Sequence, residues 1–221
     1  MTAREDILAR IHAALPKVAG NVAASHASIS RLYKRAGALD ADERLELFID
    51  RLLDYDTEII QIEGERELLS AIMQALQQAG HQRLLAAPEF PAAWLPVGLS
   101  VELDRGLSTA EIDRAEAVLT TCEVAIASTG TIILVHGGAQ GRRVITLLPD
   151  HHICLVRRNQ VVELVPEALR VIASQSSLPI TTISGPSATS DIEMTRIRGV
   201  HGPRRLTVIL YGRQETAGPS K

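Results

Sequence analysis

The stretch HICLVRRNQVVELVPEALRVIASQSSLPITTIS, residues 152–184, carries the reading of the fold. It opens on HICLVR (152–157), which is short enough for a strand and apolar on both of its alternating faces. A strand with no polar side is buried on both faces, the habit of a parallel sheet. VPEALRVIA (165–173) follows with apolar residues at helical spacing, and Pro166 stands near the first helical position, where a missing N–H is harmless. PITTIS (179–184) is a strand again. Strand, helix and strand in succession are the repeating unit of an α/β fold.

Outward from this unit the same alternation continues. Downstream, the spacing of Ser190 and Glu193 starts a short helix over 190–198, and RLTVILYG (205–212) is the last strand. Upstream, VAIA (124–127), TIILV (131–135) and VITLL (144–148) read as strands, and their tight succession implies a local antiparallel hairpin within 131–157. Ser108 and Glu111 have capping-box spacing for a helix to about Leu119. RLLAA (83–87) is a buried strand, residues 65–79 form a helix stopped by Gly80, and TEIIQI (57–62) is a strand. Asp40 caps a helix whose Leu45, Phe48, Ile49, Leu52 and Leu53 share one face. The expected fold is α/β, three-layer α/β/α with a mainly parallel sheet.

The first residues stand apart. Thr2 and Glu5 cap a helix with Ile7, Leu8, Ile11 and Leu15 in one stripe, residues 16–28 are small and polar, and 29–37 read as a further short helix. The expected organisation is an N-terminal helical arm and linker over 1–38, an α/β domain over 39–212 and a disordered tail over 213–221. An arm with an apolar stripe must cover its own core or another chain's, so self-association of the chain is compatible with it.

Composition narrows the class. Of 221 residues, 46% are hydrophobic and 3% aromatic, so the core is aliphatic, and the net charge of −3 gives no general case for nucleic acid or a membrane surface. Cys122 and Cys154 lie in apolar runs and read as reduced core residues. Two cysteines cannot supply the four thiolates of an iron–sulfur cluster. No apolar run is long enough to span a bilayer, and the N-terminus lacks a signal-peptide core, so a cytoplasmic protein is expected.

Three polar segments follow apolar strands, and in an open α/β sheet ligands bind beyond the carboxyl ends of strands. Ser128, Thr129, Gly130 and Thr131 form either an anion-binding nest or a plain tight turn. The loop from His136 to Arg143 is glycine-rich and ends in Arg142 and Arg143, whose guanidinium groups suit a carboxylate or phosphate. It matches neither a Walker A sequence nor a dinucleotide fingerprint. Gly185, Ser187 and Thr189 precede the Ser190 cap, which places hydroxyls and free N–H groups together. Asp191 and His201 are the candidate proton carriers, and Glu193 is read as a helix cap. His151 and His152 point to opposite faces of a strand and make a poor metal pair.

These segments together resemble the lactate utilization protein C (LutC/YkgG) family of the LUD domain group. AIASTGTIIL (125–134), the loop 140–143, LLPDHHICLVRR (147–158), ISGPSATSDIE (183–193) and GVHGPRRLTVIL (199–210) carry the resemblance, in order and with the family's spacing. Ser128 departs from it, since the family often has an acidic residue before Thr-Gly-Thr. The resemblance implies a fold similar to the ribose-phosphate isomerase and CoA-transferase superfamily. It also implies a part in oxidising L-lactate to pyruvate beside partner proteins that carry iron–sulfur clusters. No cofactor is expected in this chain, which would bind a small anion such as a hydroxy acid or hold the partners together. The alternatives are a stand-alone enzyme on a phosphosugar or acyl-CoA-type substrate, and a metabolite-sensing module.

Overall fold

The computed structural model describes residues 2–15, 28–175, 177–189, 197–198 and 201–212. It divides into two compact units, Met1–Lys34 and Arg35–Lys221. In the first, helix α1 (Ala3–Ala14) begins as its sequence requires: the Thr2 hydroxyl accepts from the Glu5 N–H while the Glu5 carboxylate accepts from the Thr2 N–H. Residues 29–37 are not helical, contrary to the sequence expectation. From Gly37 onward the chain is held extended instead. The N–H groups of Ala38 and Leu39 donate to the Glu163 carboxylate and that of Gly37 to Glu167.

The second unit is built on a six-stranded sheet. Its strands are β1 (Glu58–Gln61), β2 (Arg83–Ala86), β3 (Ser100–Leu103), β4 (Ala117–Thr121), β7 (His151–Arg157) and β12 (Arg205–Tyr211), in the order β1-β12-β7-β4-β2-β3. Every neighbouring pair is parallel. Helix α3 (Leu68–Ala79) covers one face, where Ile72 and Leu76 pack with Leu119, Ile153, Leu155 and Ile209. The opposite face, presenting Cys154, Val156, Val208 and Leu210, is covered by α2 (Ala41–Asp54) and by a second sheet. That sheet, in the order β8-β5-β6-β9, comprises β5 (Val124–Ile126), β6 (Thr131–Val135), β8 (Val161–Val162) and β9 (Ile180–Ile183). Its far side is covered by α5 (Val165–Ile172) through Ala168 and Ile172. The alternation of β7 between two apolar surfaces is why HICLVR shows no polar side.

Several segments depart from the sequence reading. The helix capped by Ser108 is one short α4 (Thr109–Ile112), and residues 117–121 are β4, paired on both sides within the main sheet. Residues 144–148, read as a strand, are not one: Arg143–Thr146 is a 3-10 turn, with Ile145 buried against Leu85, Ala87, Ile112 and Val118. The antiparallel hairpin is β5–β6, turning at Ser128–Gly130, and not within 131–157: β6 pairs next with β9, while β7 enters the main sheet. The end of the helix expected over 190–198 is a strand. Ile197–Arg198 (β11) pairs antiparallel with Ala188–Thr189 (β10). Residues 190–196, including Asp191 and Glu193, and residues 213–221 lie outside the described residues.

Candidate functional site

A cavity of about 190 Å³ opens between the two sheets. The turn after the glycine-rich loop contributes Arg143 and Thr146, β7 contributes His152, and β9 contributes Thr181. The loop after β9 adds Ser184, Gly185 and Ser187, and the approach to β12 adds His201. The cavity therefore sits at the amino ends of β7 and β12, not beyond the carboxyl ends of the main sheet's strands as the sequence reading expected.

The two loops that close it are fixed by backbone contacts. Ser187 N–H donates to the Pro203 carbonyl at 2.8 Å, and His201 N–H to the Ser187 hydroxyl at 3.2 Å. Gly185 has φ +86, and a Cβ there would run into the Cβ of Tyr55, so only glycine fits. Gly130 plays a similar part elsewhere: at φ +58 a Cβ would meet the Cβ of Arg51 at 2.8 Å. It lets the β5–β6 turn press on α2, and it does not line the cavity. The Thr129 hydroxyl reaches the site only indirectly, bonding Thr131 at 2.7 Å, which bonds Ser184 at 2.8 Å.

The adjacent arginines have separate fates. Arg142 makes a fork to Asp104, with Nε to Oδ2 at 2.7 Å and Nη2 to Oδ1 at 2.5 Å, and a further bond to the Leu107 carbonyl. That fork holds the Asp104 carboxyl below its ordinary range, helped by the N–H groups of Leu107 and Gly106. Arg143 instead donates to the Thr146 hydroxyl at 2.9 Å, and among the described residues no carboxylate lies within ion-pair distance of it. Burial lowers its pKa. Arg143 also lines a second cavity, of about 400 Å³, shared with Glu89, Asp104, His136, Gly138 and Arg142. This one does lie beyond the carboxyl ends of β2 and β3.

The structure thus brings together Arg143, Gly185, Ser187 and His201, and sets Arg142, Thr129 and Gly130 apart. Thr189 lies in β10, beside the loop, and Asp191 falls outside the described residues. Sequence reasoning passed over His152, Thr146 and Thr181. The available signal was a polar residue inside an apolar strand: His152 Nε2 bonds the Thr120 hydroxyl at 2.8 Å, and burial drives its pKa to about 3. His136 joins the cavities, its Nε2 bonding Thr181 Oγ1 at 2.6 Å. Among the described residues no cluster of three or more His, Cys, Asp or Glu is arranged to hold a metal. Among them, too, no helix is long and apolar enough to cross a membrane.

A mainly parallel sheet covered by helices on one face and by a helix and a smaller sheet on the other, with a cavity lined by Arg143 between the sheets, defines an α/β domain. Residues 60–211 match the model of the LUD domain, and the chain belongs to that family. It is 48% identical over 183 residues to a lactate utilization protein C of Deinococcus radiodurans, covering 81% of this chain and 85% of that one. It is 27% identical to a lactate utilization protein C of Bacillus subtilis over 94% of this chain and 95% of the relative. Among solved structures it is similar to a duf162 family protein from Deinococcus radiodurans, with a TM-score of 0.69 and 44% identity over 79% of this chain and all (100%) of that one.

Proposed function

We propose that this chain serves lactate utilisation in the cytoplasm as a non-redox subunit that binds the small carboxylate while L-lactate is oxidised to pyruvate with iron–sulfur partner proteins. The names of its relatives support the pathway. The single structural observation that carries the binding role is Arg143: an exposed side chain that lines a cavity of about 190 Å³ with no carboxylate partner among the described residues. A guanidinium partly withdrawn from water and without an anion gains from a bound carboxylate through charge-assisted bonds.

Turning a hydroxy acid into an oxo acid releases two electrons and two protons, and a cofactor must take the electrons. The two cysteines are buried, and the neighbouring Cys154 thiol, then burial, raises the Cys122 thiol's pKa well above its ordinary value. They are core residues in the wrong number and protonation state for a cluster. The electron acceptor is therefore assigned to the partners. In this reading Arg143 and the Ser187 hydroxyl hold the carboxylate, and His201 and Asp191 are the proton-carrier candidates. The test is lactate-dependent dye reduction by the complex isolated through the tagged chain. Arg143→Gln is expected to lower it at least about tenfold at low lactate. Wild-type turnover by that variant would overturn the assignment.

A further inference from the structure

Two hydrogen-bond chains end at the Arg143 cavity, and the one through His136 has only one permitted direction. The first starts from a group that can only accept, the Thr121 carbonyl. Cys154 Sγ lies 3.9 Å from it and so donates its S–H there. The sulfur is then left to accept, and it does so from Thr120 Oγ1 at 3.8 Å. Thr120 Oγ1 also lies 2.8 Å from His152 Nε2, and with its proton on the sulfur it accepts from Nε2–H. A neutral imidazole carries a single N–H, so in that arrangement His152 Nδ1 is a bare lone pair. Unlike Nδ1 of neighbouring His151, it is not a buried orphan, and it has no partner among the described residues. It is the ring nitrogen left for the cavity that His152 lines.

The second chain starts at the Gly141 carbonyl, which accepts from His136 Nδ1–H at 3.1 Å. His136 Nε2 must then accept from the Thr181 hydroxyl at 2.6 Å. Thr181 is left with oxygen lone pairs on the cavity side. Thr146 behaves alike: its hydroxyl donates to the Arg143 carbonyl at 2.9 Å. Ser187 is the opposite case. Its oxygen accepts from the His201 N–H, so its proton is free to donate outward.

The lining therefore sorts into donors, Arg143 and Ser187, and acceptors, His152 Nδ1 and Thr181 Oγ1. We infer that the cavity selects a hydroxy acid over the matching oxo acid, Thr181 Oγ1 accepting the hydrogen bond of the ligand's hydroxyl, His152 Nδ1 standing as the second acceptor of the lining, and Arg143 and Ser187 holding the carboxylate. This rests on the reading of the cavity as a small-carboxylate site. An oxo acid brings only acceptors and sets its carbonyl lone pairs against those of His152 and Thr181. Sites built around a substrate hydroxyl reject analogues that lack it, because their own polar groups go unpaired. Burial keeps His152 neutral, with a pKa of about 3, so it stays an acceptor at neutral pH.

The experiment is titration calorimetry of the full chain with L-lactate, pyruvate and propionate. L-Lactate is expected to bind at least about tenfold more tightly than either of the others. Thr181→Val, which removes the accepting oxygen at nearly constant volume, is expected to weaken L-lactate until its margin over pyruvate is lost, with no weakening of pyruvate. Should that variant fail to fold, ¹⁵N spectra of the wild-type imidazoles stand in its place, with His152 expected as the Nε2–H tautomer. Pyruvate binding as tightly as L-lactate, or an Nδ1–H tautomer of His152, overturns the inference and leaves the small-carboxylate reading standing. Binding of none of the three acids overturns both.

Discussion

Arg142 and Arg143 are neighbours with the same chemistry, and the difference between them is entirely one of partners. Asp104 keeps its side chain only 1% exposed because Arg142 is there to meet it. Arg142→Ala is therefore a stability mutation. It leaves a buried carboxylate without its cation, at a cost of about 1–3 kcal/mol, readable as a lower urea midpoint at unchanged slope. Arg143→Gln is a binding mutation: the urea midpoint should stay close to wild type while lactate-dependent turnover falls. If both variants lost stability alike, the division of labour would be wrong. The sequence shows a glycine-rich loop ending in two guanidinium groups, which is why both were candidates. It could not show which one is free, since Asp104 stands 38 residues upstream of Arg142 and carries no motif that pairs it.

Elements were legible where their signals are local. Both capping boxes expected within the described residues form, Thr2 with Glu5 and Ser108 with Glu111, and the expected Asp40 cap is a box as well, with Glu43. Each needs only residues three apart. What the cap does not set is the length of the helix behind it. After Ser108 the helix ends at Ile112, because Ala117–Thr121 gains ladder hydrogen bonds on both sides, from β2 and β7. That competition is decided by strands more than thirty residues away, as the pairing of Leu84 with Ala117 illustrates. The same holds for 143–146, where Ile145 is drawn into a pocket of Leu85 and Val118 rather than into a ladder. The loop after β9 gives the prediction at this scale. Gly185→Ala must keep φ +86 and place a methyl group on Tyr55. The expected loss is at least about 2 kcal/mol by chemical denaturation, with weakened ligand binding beside it. A wild-type midpoint would show that the loop can relax and does not hold the site.

The whole molecule is a sheet with two neutral histidines at its centre, and that makes its stability depend on pH. Burial lowers His151 to about 4 and His152 to about 3. In the unfolded chain both titrate near 6.5. Below that value the unfolded state takes up protons that the folded state refuses. Stability is therefore complete above about pH 6.5 and falls as the pH drops towards 4 and then 3. His151 alone accounts for about 3 kcal/mol by pH 4. Asp104, whose pKa is lowered first by the Arg142 bond, adds to the loss only below its unfolded value, near 4. The urea midpoint should be flat from pH 8 to 7 and decline steadily from 6.5 to 4.5. A flat profile through that window would mean the two rings are not held neutral. The most direct test of the account remains at this scale: gentle isolation of the tagged chain from its own cells, followed by optical absorbance and lactate-dependent dye reduction. The account predicts iron–sulfur absorbance and lactate-dependent reduction together, with Arg143→Gln retaining the absorbance and losing the reduction. A colourless chain, isolated alone and inactive towards lactate, would contradict it.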